Sequence, residues 1–194
     1  HLCRWVDSML PSVVSEAAWM ECVTAFDSKP TRPVIALNMS PTGSRASAVM
    51  AWQMSDGRIA LVELLEATGA PIDTATLGPD IQALKMEHGA KRVAFASWTD
   101  QDLARHGRGG EQLVGKDFAA ASEFFARAVM QGRLAVDAGA QHITADVKWS
   151  ARKPHDSGSW IVTPADPERP ITGFLAAVRA VWWASQPRTV PRIG

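Results

Sequence analysis

The sequence predicts a mixed α/β domain: three antiparallel strands, then α/β alternation, in a mixed sheet flanked by helices. Three observations carry this reading. The first is the strand signal: a continuous apolar run at residues 34–37, a second strand-like run at 46–54, and Ile59–Leu65 joined to it through the hairpin turn Ser55-Asp56-Gly57-Arg58. The second is a change of period after residue 70. Residues 73–88 place Leu77, Ile81 and Leu84 at helical spacing and stop at Gly89, and the short apolar strand 92–96 follows. The third is the helix pattern at 117–131. It sets Phe118, Ala121, Phe125, Ala128 and Val129 on one stripe, has Asp117 near its positive end, and stops at Gly132.

The flanking segments fill in the organisation. Residues 1–32 read as a lead-in: Ser15 caps a short amphipathic helix through Val23, and the proline-rich stretch Asp27–Pro33 reads as a linker. The domain proper is expected over 33–187, with a Pro/Arg tail at 188–194. A polar region containing Trp149, Arg152, Lys153 and Trp160 precedes a last helix expected at 172–185. The chain starts at His1 in mid-pattern, which is expected of a piece of something longer.

Composition bounds the function. At 194 residues and 46% hydrophobic the chain can bury one core. Twenty basic residues balance twenty acidic ones, so any nucleic-acid contact must be local. Cys3 and Cys22 have no metal-ligand spacing and are expected to be reduced thiols of an intracellular protein. No run approaches the roughly 20 apolar residues of a membrane span, so no membrane partner is expected. There is no GxxxxGK[ST] motif, which rules out P-loop ATP hydrolysis by these residues.

Scattered motifs then align in order. They are Arg4-Trp5-Val6 with Trp19 and Cys22; Ser40-Pro41; Asp56-Gly57-Arg58-Ile59 with Val62-Glu63; and Phe124-Phe125 with Ala128-Val129 and Gly132-Arg133-Leu134. Ala151-Arg152 with Pro154 and Ser159-Trp160, then Ile171, Leu175-Ala176-Ala177 and Trp182, complete the series. In order and spacing this resembles the C-terminal nuclease domain of tailed-phage terminase large subunits, over nearly the whole chain. The resemblance implies a ribonuclease-H-like fold, detachment from an N-terminal ATPase domain, and metal-dependent cleavage of concatemeric double-stranded DNA during genome packaging. It also implies Mg or Mn as cofactor, DNA, portal and small terminase subunit as partners, and the cytoplasm of the infected bacterial host as location.

Such a nuclease holds its metal with carboxylates from separate elements. The family's pattern places them at the end of the first strand, the end of the fourth, and near the start of the last helix. Here these positions fall on Asn38, on or near Ser97 with Asp100 close by, and near Pro170 with Asp166 and Glu168 just before it. The resemblance therefore gives Asn38, Asp100 and Asp166 as catalytic candidates, and these with Glu168 as metal candidates. The non-acidic residues imply impaired cleavage, with a catalytically silent DNA-binding or docking module as the alternative. An amide supplies a ligand oxygen without its charge, so Asn38→Asp is expected to tighten manganese binding. Each residue also has a purely structural reading: Asn38 as a turn-former, Asp100 as the N-terminal charge of a short helix. Lys148, Arg152 and Lys153, interleaved with tryptophans, could contact a phosphate backbone or form a solvated loop over packed indoles. Glu63 and Glu66 are three apart in a strand pattern, which predicts opposite faces.

Overall fold

The computed structural model describes residues 10–96 and 110–186. Its main sheet has six strands: β1 (Val34–Met39), β2 (Arg45–Gln53), β3 (Ile59–Thr68), β4 (Arg92–Phe95), β5 (Gly110–Gln112) and β6 (Leu134–Val136), in the order β5-β4-β1-β2-β3-β6. The β1–β2–β3 meander is antiparallel, and β4, β5 and β6 add in parallel at its two edges. Gly57 supplies the positive φ, 87°, that the β2–β3 turn needs. A hairpin, β7 (Ser150–Pro154) with β8 (Trp160–Pro164), forms a separate two-stranded sheet.

Helices cover both faces. The α2 helix (Thr74–Glu87), capped by Asp73, packs Leu77 and Ile81 against Ile35, Leu37, Met50 and Trp52. On the other face lie α1 (Glu16–Cys22), α3 (Gly115–Met130), α4 (Gln141–Val147) and α5 (Thr172–Ser185). Period-2 alternation thus sorts β1 and β2 between two cores. Ala36, Val49 and Ala51 point to one and Ile35, Met50 and Trp52 to the other.

The lead-in helix is seated in the larger core. Trp19 is 1% exposed, stacks 6.2 Å from Phe125 and 6.0 Å from Phe174 between ring centroids, and donates its indole N–H to Thr144 Oγ1 at 3.1 Å. Thr24 N–H then bonds the Val136 carbonyl at the edge of β6. Ahead of α1, Pro11 accepts from Arg152 N–H, and Val13 donates to Ser150, so this strip adds to the β7 edge. Cys22 is buried with its thiol free.

Three expectations change. The polar region around Trp149 contains α4 and the β7–β8 hairpin, and the stretch after Gly132 carries β6. The predicted strand at 59–65 runs on to Thr68. The parity argument for Glu63 and Glu66 fails because β3 has a bulge: Ala48 faces Leu65 while Val49 faces Glu63, leaving Leu64 as the extra residue. Leu64 and Leu65 both pack on the α2 side, so Glu63 and Glu66 both face α4 and α5. Cys3, Arg4-Trp5-Val6, Ser97, Asp100 and the tail at 188–194 lie outside the described residues.

Candidate functional site

Strand register builds a polar row beneath the start of α5. Asn38 of β1 pairs with Ser47 of β2, and Ser47 pairs with Glu66 of β3. Thr172 sits above this row, with its Oγ1 2.7 Å from Ser47 Oγ. Ser47 also donates to Glu66. The row is almost dry: Asn38, Ser47 and Thr172 are 6%, 2% and 1% exposed. Buried polar groups must be partnered, and here each finds its partner within the row or from a neighbouring arginine.

Two arginines complete the site. Arg45, at the start of β2, pairs with Glu66, contacts Asp146 Oδ1 at 2.7 Å, and donates to the Pro170 carbonyl at 2.6 Å. Asp146, in α4, takes the Phe174 N–H on its other oxygen at 3.2 Å, satisfying a donor in the first turn of α5 where Ile171 provides no side-chain cap. Gly173 permits this approach, since a Cβ there would lie 3.2 Å from Asp146 Oδ2. Burial pushes the Asp146 carboxyl up against the opposing pull of Arg45. Burial also works against the charge on Arg45, but its bonds to Asp146 and Glu66 prevail and raise its pKa. The second arginine, Arg179, is 4% exposed in the middle of α5; it donates from Nη1 to Asn38 Oδ1 at 2.9 Å and to the Leu175 carbonyl at 2.9 Å. Its guanidinium lies over the Phe118 ring.

A cleft of about 250 Å³ opens beside this row, lined by Asn38, Ser40, Pro41, Pro167, Pro170 and Thr172 among others. Asp166 and Glu168 belong to the loop that borders it. Asp166 Oδ1 accepts the Glu168 N–H at 3.0 Å, and its other oxygen is 3.5 Å from Arg169 Nε, while Glu168 is exposed. Glu63 serves as a remote cap, accepting from the N–H groups of His142 and Ile143 at 3.1 Å each, where Ala140 offers no side-chain bond.

The basic candidates divide by setting. Lys148 is exposed with its ammonium 5.6 Å from the Trp149 ring centroid, and Lys153 is exposed on β7. Arg152 is half-buried, donates to the Val13 carbonyl at 2.8 Å, and stacks on Trp160. It ties the lead-in strip to the hairpin.

No protein-family model and no curated protein sequence matches the chain. Solved structures do. The large terminase of bacteriophage HK97 superposes with a TM-score of 0.75 at 16% identity, covering 90% of this chain and 44% of that one. The chain has the fold of a large-terminase nuclease domain. The large terminase nuclease of thermophilic phage G20c gives a TM-score of 0.63 at 13% identity, over 88% of this chain and 97% of that one. The nuclease domain of the large terminase subunit gp2 of bacterial virus Sf6 gives 0.58 at 12%, over 91% and 99%. This chain therefore spans less than half of the HK97 protein and nearly all of the isolated nuclease domains. The G20c terminase fold has been solved with bound magnesium and cobalt, and a mutant of the Sf6 domain with manganese.

The described residues of this terminase-nuclease fold do not suit a divalent ion. No group of three or more His, Cys, Asp or Glu side chains among them is placed to hold one. Glu66, linked to Asn38 through Ser47 in the strand register, and Asp146 of α4 both pair with Arg45, and Asn38 Oδ1 accepts from Arg179. Sequence reasoning missed Arg45, Ser47, Asp146, Thr172 and Arg179, and named Glu66 only as a strand acid on the face opposite Glu63. One signal was available: Arg179 is the single charge in the otherwise apolar helix TGFLAAVRAVWWAS.

Proposed function

We propose that this chain is the nuclease domain of a tailed-phage terminase large subunit, acting on double-stranded DNA in the cytoplasm of the infected host, with impaired metal-dependent cleavage. The observation that carries the reading is the fold match to the HK97 large terminase over 90% of the chain, at a TM-score of 0.75. The motifs from Trp19 to Trp182 support it in sequence order. Portal and small terminase subunit are the proposed protein partners, and Mg or Mn the proposed cofactor of whatever cleavage remains. Asn38, Asp100 and Asp166 remain the proposed catalytic positions, with Glu168 a further proposed metal ligand.

A second reading, a catalytically silent DNA-binding or docking module of the packaging motor, is favoured by one observation: Asn38 Oδ1 is held by an arginine. Lys148, Arg152 and Lys153 are the proposed phosphate contacts in both readings. Filter binding to a DNA duplex across a salt series, together with plasmid nicking across a manganese titration, separates the two. Binding that weakens with salt, accompanied by manganese-dependent nicking, supports the nuclease; the same binding without nicking supports the silent module. Replacing Lys148 and Lys153 together by alanine should lower the salt slope by about 2, roughly one for each phosphate no longer neutralised. No duplex binding and no nicking would defeat both readings.

A further inference from the structure

Asn38 meets two demands that a carboxylate cannot meet together. Its Nδ2 donates to the Met39 carbonyl at 3.2 Å while its Oδ1 accepts from Arg179. An aspartate has no donor for that carbonyl and would set two oxygens against each other there. The amide is therefore the side chain that suits both neighbours. Arg179 is as firmly placed. It is buried in α5, bonded to Asn38 and to the Leu175 carbonyl, and its guanidinium carbon lies 4.3 Å from the Phe118 ring centroid, where the negative face of the ring favours a cation.

We propose that the Arg179 guanidinium is the resident cation of this cleft, a covalently tethered charge in the place where a terminase nuclease would hold a divalent ion. That a metal would otherwise belong here rests on the reading above; the pairing of Arg179 with Asn38 does not. A hard divalent ion coordinated by Asn38 Oδ1 at about 2.0–2.6 Å would share that oxygen with a guanidinium nitrogen 2.9 Å away. Like charges this close in a buried setting repel strongly. Arg45 does the same on the neighbouring strand, balancing Glu66 and Asp146 and gripping the Pro170 carbonyl. Among the described residues, Arg45 and Arg179 thus supply the positive charge along the polar row under α5. This reverses one expectation from the sequence: a carboxylate introduced at position 38 meets Arg179 before it meets a metal.

A double-mutant cycle tests the proposal. The variants are Asn38→Asp, Arg179→Gln and their combination, with Arg179→Lys as the charge-conserving control in both backgrounds. Glutamine keeps a donor for position 38 but carries no charge, so it guards against a simple packing defect. Thermal unfolding of each is followed with and without millimolar manganese. The Tm penalty of Asn38→Asp should be larger in the Arg179→Gln background than in the parent by about 2–4 °C for each kcal/mol of lost pairing. The Arg179→Lys background should fall close to the parent. Manganese should shift the Tm of Asn38→Asp no more than that of the parent. Equal penalties in the parent and Arg179→Gln backgrounds, or a manganese shift specific to Asn38→Asp, would overturn the proposal. Neither readout involves DNA, so failure here is distinct from failure of the terminase reading.

Discussion

Replacing Arg45 by methionine should be among the most damaging single changes in this chain. Its side chain is 18% exposed, and its partners Glu66 and Asp146 are 8% and 5% exposed, so the triad lies largely out of water. Removing the guanidinium leaves two buried carboxylates side by side, with, among the described residues, Ser47 still bonding one and the Phe174 N–H the other. Breaking a buried ion pair in this way costs about 3–5 kcal/mol. With a urea slope of about 2–3 kcal/mol/M, the unfolding midpoint should fall by roughly 1–2.5 M. The triple variant Arg45→Met, Glu66→Gln, Asp146→Asn removes all three charges at nearly constant shape and should recover most of that loss. The assay is urea unfolding followed by tryptophan fluorescence. A loss below about 1 kcal/mol for Arg45→Met, the value of a solvated surface pair, would refute the buried-charge argument. A triple variant as unstable as the single one would show that poorer packing, and not charge, is the cause.

Two further outcomes follow from the core. Trp19→Ala should cost about 3–5 kcal/mol, the usual penalty for truncating a buried large aromatic; the same urea assay, read by circular dichroism, checks this, and a loss near zero would mean that the lead-in helix is not part of the folded core. Burial raises the Cys22 thiol pKa above its ordinary 9.0, so the unfolded chain ionises first as pH rises. The Cys22 contribution to stability is complete below pH 9 and is lost as pH climbs from there through the raised native value. Cys22→Ala should show a shallower alkaline decline of Tm than the parent, and identical slopes would contradict this.

What could be read from the sequence was what short range decides. The β2–β3 hairpin turn, the Asp73-capped helix ending at Gly89, and the last helix at 172–185 all rest on local period and turn chemistry, and all appear where expected within a residue or two. What escaped depends on distant partners. The three-residue strand β6 exists because Leu134–Val136 pairs with Ile59–Leu61, and no local pattern announces that. The site shows the same division more sharply. Asn38 could be singled out by resemblance, but its partner Arg179 lies 141 positions away, and Arg45 finds Glu66 and Asp146 at separations of 21 and 101. Arg152 was read as a phosphate contact from its basic-aromatic neighbourhood. Its bond to Val13, 139 positions away, gives it a structural duty as well.

The extra residue in β3 has a bearing on how this chain can be altered. It works as a phase shift: before Leu64 the odd-numbered side chains look toward α5, and after it the even-numbered Glu66 does. Deleting Leu64 would return β3 to a regular ladder and leave Leu65 opposite Ala48 and Glu66 opposite Ser47, so the carboxylate would keep its face and Arg45 its partner. A hairpin transplanted from another protein of this fold would keep the Glu66 face with the bulge or without it, whereas losing Leu65 as well would set Glu66 opposite Ala48 and turn it toward α2. The bulge thus gives this short stretch a tolerance of one residue in length, and it is the next residue lost that would strand Arg45.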